Sequence, residues 1–84
     1  MIEAHEIEAE LLAFLRREVF APQVELTPET DLVAAGFDSM SLVRVLLFVE
    51  TNYGLWIPEK EITGDALSNL RCLAATVHRL MHDR

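Results

Sequence analysis

The chain has one cysteine, Cys72, in 84 residues. No intrachain disulfide can form, and a cysteine-based zinc site has no second thiolate. Three glycines and three prolines are too few for a collagenous, linker-like or low-complexity chain. Aromatic residues make up 7% against a hydrophobic total of 51%, so Leu, Val, Ala and Ile must fill the core. That composition suits helices better than a small β-barrel and excludes disorder. Basic residues number seven against 14 acidic ones, a formal charge of −7, which repels a phosphate backbone and argues against DNA or RNA as a partner. No apolar run approaches the roughly 20 residues of a membrane span, and the start, rich in glutamate, lacks the basic-then-apolar order of a signal peptide. The sequence therefore predicts a soluble, cytoplasmic protein. Its length predicts a single domain, residues 1–84.

What is present is helical periodicity. Ile7, Leu11, Phe14 and Leu15 recur at helical spacing and lead to Val19, predicting an amphipathic helix over residues 4–19 that Pro22 ends. Residues 21–38 hold Pro22, Pro28 and Gly36 without sustained periodicity, which predicts a long ordered loop tucked down by Val24, Leu26, Leu32 and Phe37. Thr27 or Thr30 is placed to cap a short turn within it. Asp38 is an N-cap for an apolar helix running from Ser39 to Tyr53 and stopped by Gly54, with Leu46 assigned to its core face. After Pro58, Thr63 offers a cap to a short turn around residues 64–67. Ser68 is expected to cap a last helix carrying Leu70, Leu73, Val77, Leu80 and Met81. Three main helices and one short one, with a long first connection, make a small all-α bundle.

The charges divide unevenly. Glu3, Glu6, Glu8, Glu10 and Glu18 crowd the start, whereas residues 66–84 hold only Asp83 beside Arg71, Arg79 and Arg84. The two ends are suited to different neighbours.

The sharpest local feature is the run Gly36, Phe37, Asp38, Ser39, Met40. Glycine permits a tight turn, aspartate caps, and the serine opens a helix whose first backbone N–H groups have no intrahelical acceptor. A phosphodiester on that serine would sit in the favourable field of a helix N-terminus. An Asp-Ser pair that only caps a helix remains the alternative on these five residues alone.

The surroundings extend the pattern. Asp31 and Leu32 precede Gly36, while Glu50, Tyr53, Gly54, Ile57 and Pro58 follow at set spacing. In this combination, covering residues about 7–81, the chain resembles the acyl carrier protein family and its peptidyl carrier relatives. The resemblance implies an antiparallel four-helix bundle. It implies a 4'-phosphopantetheine arm, taken from coenzyme A by a phosphopantetheinyl transferase and attached at Ser39, with Gly36 and Asp38 shaping the site. It further implies thioester carriage of acyl or aminoacyl groups, with a loading enzyme and downstream biosynthetic enzymes as partners and the monomer as the working form. Fatty acyl, β-keto, aminoacyl and D-alanyl cargo all remain open.

One departure stands out. Helix two of fatty-acid carriers displays several acids, yet here Glu50 is its only one, beside Arg44 and the apolar Met40, Val43 and Leu47. These five residues are the expected partner surface, suited to a specialised lipid, polyketide or nonribosomal peptide pathway. The competing reading is an unmodified helical interaction module that uses the same apolar face. Trp56, after helix two, is expected at the bundle's edge and Cys72 in the core. His78 and His82 share a helix face and His5 lies far off in sequence, a pattern expected of solvated histidines rather than metal ligands. No histidine lies in a motif that would activate Ser39, and no paired acids or phosphate-cradling glycine loop occur, so no enzymatic activity is expected of the chain itself.

Overall fold

A computed structural model describes residues 2–83. The Met1 end and the expected contribution of Arg84 to a basic C-terminus lie outside the described residues. The order is α1 (Ala4–Phe14), a π-helical turn (Leu15–Val19), α2 (Ser39–Tyr53), a 3-10 turn (Glu59–Glu61) and α3 (Leu70–His82), with no strand among the described residues. No helix among them is long and apolar enough to cross a membrane.

α1 starts where the Glu3 backbone N–H donates to the Glu6 carboxylate at 3.0 Å. This occupies a helix-start donor that has no intrahelical acceptor. Its buried stripe is Ile7, Leu11 and Phe14, continued by Leu15. The last turn then widens, with the Phe20 N–H donating to the Leu15 carbonyl five residues back at 2.8 Å. The expected single helix over residues 4–19 is thus an α-helix finished by a π turn.

Three contacts, two between side chains and one from the Arg44 side chain to the Glu18 carbonyl, fix α2 against this segment. Glu18 meets Arg44, Phe14 stacks on Phe48 and Glu10 meets Tyr53. As the number rises on one element it falls on the other, so α1 and α2 run antiparallel.

The connection over residues 20–38 has no regular structure but is well anchored. Leu26, Leu32 and Phe37 are buried, while Val24, also expected inside, is half-buried. Arg16 donates to the Leu26 carbonyl at 2.7 Å. Thr27 and Thr30 close a turn together, the Thr27 N–H donating to the Thr30 hydroxyl at 2.9 Å. The loop is also fastened to the far end of the chain. The Leu32 N–H donates to the Ser68 carbonyl and the Arg71 N–H to the Pro28 carbonyl, each at 3.1 Å. The Arg71 side chain faces Glu8 of α1 at 3.7 Å and pairs closely with Glu29 of the loop.

α2 matches its expected bounds, from the Asp38 cap to Gly54. Gly54 takes the left-handed conformation, φ +64°, and nothing lies within 4 Å of the position a Cβ would occupy. The cost of a side chain there is conformational, not steric. Gly54→Ala is therefore expected to lower stability by about 1 kcal/mol, measured as a shift in denaturant midpoint at constant slope.

One sequence expectation is corrected at the C-terminal side. Asn69, not Ser68, caps α3, accepting the Cys72 N–H at 2.8 Å, while the Ser68 hydroxyl donates to the Asp65 carbonyl. Residues 64–67 form turns, with the Thr63 hydroxyl accepting the Ala66 N–H. The regular turn lies earlier, at Glu59–Glu61, where Pro58 presets φ at −63°.

α3 buries Leu70, Leu73, Ala74 and Val77. The core joins these to Val45 and Val49 of α2, the α1 stripe and the loop anchors. Leu46, expected inside, is only half-buried beside that core. Cys72 is also half-buried. Trp56 stands at the edge with 56% of its surface exposed.

Candidate functional site: the entrance of the second helix

The residues leading into α2 form a compact turn. The Gly36 N–H donates to the Val33 carbonyl at 3.1 Å and the Phe37 N–H to the Leu32 carbonyl at 2.9 Å. Gly36 has φ +111°, a conformation in which any side chain is strained. Phe37 is buried, and it pins the turn so that Asp38 and Ser39 emerge at the surface.

The exposed Asp38 folds its carboxylate back over the helix start. One carboxylate oxygen accepts the Ser41 N–H at 2.9 Å and the Ser41 hydroxyl at 3.0 Å. These bonds, the backbone one first, hold its pKa below the ordinary 3.8. The cap is stabilising in the ionised form. Its contribution is present above the unfolded value and is lost as the pH falls through the lower folded value. Asp38→Ala is accordingly expected to melt below wild type at neutral pH. The two melting curves should converge once the pH drops well under 3.8, as a pH series of thermal scans will test.

Ser39 occupies the first helical position and is exposed. No protein group among the described residues hydrogen-bonds its hydroxyl. Ser41, two residues on, is its opposite: buried and committed to Asp38. A phosphopantetheine phosphate fits this entrance. The Ser39 hydroxyl is open, the helix N-terminus favours an anion, and the adjacent Asp38 carboxylate is engaged in the cap.

Met40, Val43 and Leu47 are exposed at 64%, 49% and 54%. With Arg44 and Glu50, also exposed, they share the outward side of α2 with Ser39, so the structure brings all five expected partner residues onto one face. Arg44 carries a contact that its sequence neighbourhood does not announce: its guanidinium donates to the Glu18 carbonyl at 2.8 Å, satisfying an acceptor at the end of the π turn. Phe48 is another residue the sequence reading passed over. It stacks on Phe14 with ring centroids 4.4 Å apart and edges onto Tyr53 at 6.0 Å. The Tyr53 hydroxyl donates to Glu10 at 2.5 Å, and burial first, then this carboxylate, pushes its pKa upward. The His78 and His82 rings lie 4.1 Å apart, tilted at 44°, near the end of α3, far in sequence from this entrance.

Comparison with known proteins agrees with this geometry. Residues 9–80 match the family model described as the phosphopantetheine attachment site. The chain is similar to aminoacyl carrier protein 1 of Bradyrhizobium diazoefficiens, with 34% identity over 53 residues. That match covers 63% of this chain and 59% of the relative, so it spans less than two thirds of the relative's length. In three dimensions the chain resembles one from the crystal structure of Bradyrhizobium japonicum glycine:[carrier protein] ligase complexed with glycylated carrier protein. The TM-score is 0.65 at 27% identity, covering 87% of this chain and 96% of that one. An all-helical chain whose second helix opens on an exposed, unengaged serine, and whose sequence fits the attachment-site model over most of its length, belongs to the phosphopantetheine-binding carrier family, whose members are not themselves catalytic.

Proposed function

We propose that Ser39 is the attachment point of the 4'-phosphopantetheine arm and that the chain, as one domain over residues 1–84, carries acyl or aminoacyl groups as thioesters on it. The observation that supports this most is the exposed Ser39 hydroxyl at the first position of α2, without a protein partner among the described residues. In the transfer, the Ser39 oxygen forms the new bond to phosphorus. The pyrophosphate bond of coenzyme A breaks, adenosine bisphosphate leaves and the serine proton is released. Gly36 and Asp38 keep the turn and the helix start in shape for a phosphopantetheinyl transferase. The arm's thiol supplies the thioester chemistry once it is attached.

Among the open cargoes, amino acids are favoured by the names of the similar proteins, one an aminoacyl carrier and one from a complex with a glycine ligase. A loading ligase would then be the first partner, with later enzymes of a specialised lipid, polyketide or nonribosomal peptide pathway receiving the group. Met40, Val43, Arg44, Leu47 and Glu50 form the face we assign to docking, on a monomer working in the cytoplasm. We also read the turns at residues 63–68, together with Glu59–Glu61, as standing where the short helix of an antiparallel four-helix bundle would be.

The test is intact mass. After incubation with coenzyme A, Mg²⁺ and a broad-specificity transferase, the chain is expected to gain one phosphopantetheine. An unchanged mass sinks the assignment and leaves the unmodified interaction module standing.

A further inference from the structure

Cations are scarce in this chain, yet they gather at one groove. A groove of about 360 Å³ runs between the end of α1 with its π turn and the outward side of α2, its lining including Phe14, Arg17, Glu18, Arg44, Leu47 and Phe48. The stacked Phe14 and Phe48 rings form its apolar wall. Leu47, which is half exposed, joins it to the stripe of Met40 and Val43.

The charges around it are unbalanced. Arg44 donates to a neutral carbonyl, that of Glu18, so its charge is not offset by that contact. Arg16, just before, likewise donates to the Leu26 carbonyl. Arg17 faces the Glu18 carboxylate at 2.9 Å, with the two side chains 61% and 46% exposed. Glu10, near the other end, is bonded to the Tyr53 hydroxyl. By contrast, Arg71 and Arg79 each face two carboxylates. With Arg17 and Arg44 against Glu18, the lining holds one more cation than anion on a protein of net charge −7, and Arg44 is the cation that no carboxylate faces.

We propose that this groove docks an acidic, apolar segment of a partner protein. A large apolar side chain of that segment would lie against Phe48 and Leu47, with flanking carboxylates meeting Arg44 and Arg17. The inference rests on the reading of α2 as the docking face and gives that face a partner of defined chemistry. It runs against the total charge, which alone favours a basic partner. Charge complementarity at a rim sets partner choice and encounter rate more than raw affinity.

The test uses the full chain, labelled with ¹⁵N, and two synthetic amphipathic peptides with the same apolar face, one bearing glutamates and the other lysines. The glutamate peptide is expected to move the amide signals of Arg17, Leu47, Phe48 and Thr51 saturably, and the lysine peptide to leave them in place. Reversing both cations, Arg17→Glu with Arg44→Glu, should weaken the glutamate peptide roughly tenfold. Because Arg44 also holds the end of the π turn, Leu47→Asn, which removes the apolar contact without adding charge, serves as a second variant. It leaves that bond intact and should also weaken the peptide. Groove shifts with the lysine peptide, shifts that grow with protein concentration alone, or none with either peptide up to about 1 mM would each overturn the proposal. The same samples treated with transferase separate the two readings. A modified chain with a silent groove removes only this inference, whereas groove binding by a chain that gains no arm removes only the carrier assignment.

Discussion

Ser39→Ala is expected to gain no phosphopantetheine under conditions that convert the wild type completely. The chain contains two other serines near or beyond this site, and the structure disqualifies each for a physical reason. Ser41 is buried and its hydroxyl already donates to Asp38, so reaching it means dismantling the cap. Ser68 is exposed, but its hydroxyl donates to the Asp65 carbonyl at 2.8 Å and it precedes Asn69, the cap of α3, so it does not open a helix. Neither serine therefore offers a substitute at a helix start, and the loss is expected to be all or none. Residual modification of Ser39→Ala would mean that the enzyme reads something other than the first residue of α2. The variant should melt close to wild type, because Ser39 makes no side-chain bond among the described residues and exposed changes usually stay within about 0.5 kcal/mol.

The second large effect belongs to the core. Leu73 is 2% exposed on the inward face of α3, and Leu32, in the loop, is fully buried. Truncating either to alanine is expected to cost roughly 2 to 5 kcal/mol, the lost transfer energy plus the cavity left behind. A domain of this length holds only roughly 4 to 13 kcal/mol in all, so each variant should be partly unfolded at modest denaturant. Leu46→Ala should cost less than either, because Leu46 is half-buried at the margin of the core. Leu47→Ala, on an exposed residue, should stay within about 0.5 kcal/mol of wild type. Urea titrations followed by circular dichroism would rank the four. A Leu32 variant as stable as the Leu47 variant would show that the loop is not part of the core.

α2 was legible to the residue because its determinants are local. Asp38 supplies the cap, Gly54 the left-handed stop, and the apolar run between them leaves no competing boundary. The entrance at Ser39 was legible for the same reason. The start of α3 was not, since Ser68 and Asn69 are both good caps. The choice falls to Asn69, while the Ser68 carbonyl accepts from Leu32, a partner distant in sequence. Leu46 was misplaced because Val45 and Val49, four residues apart, take the inward line and leave it at the edge. The bond from Arg44 to Glu18 spans 26 residues, and the Phe14–Phe48 stack also joins separate helices, so no local pattern announces either. The π turn is marked by the bond from Phe20 to Leu15, and apolar spacing alone does not distinguish it from an ordinary helical end.

The fastening of the loop at residues 28 and 32 by residues 71 and 68 carries a consequence in time. On a ribosome, Ser39 leaves the exit tunnel well before the residues that secure the approach to it. Closing so long a connection costs chain entropy that only the late contacts repay, and such distant pairings form slowly compared with a single helix. The serine is therefore synthesised early but presented late. If Ser39 carries the arm, an enzyme that recognises the turn leading into α2 would meet it in final form only once residues 68–71 have docked, and attachment would report that α3 is in place.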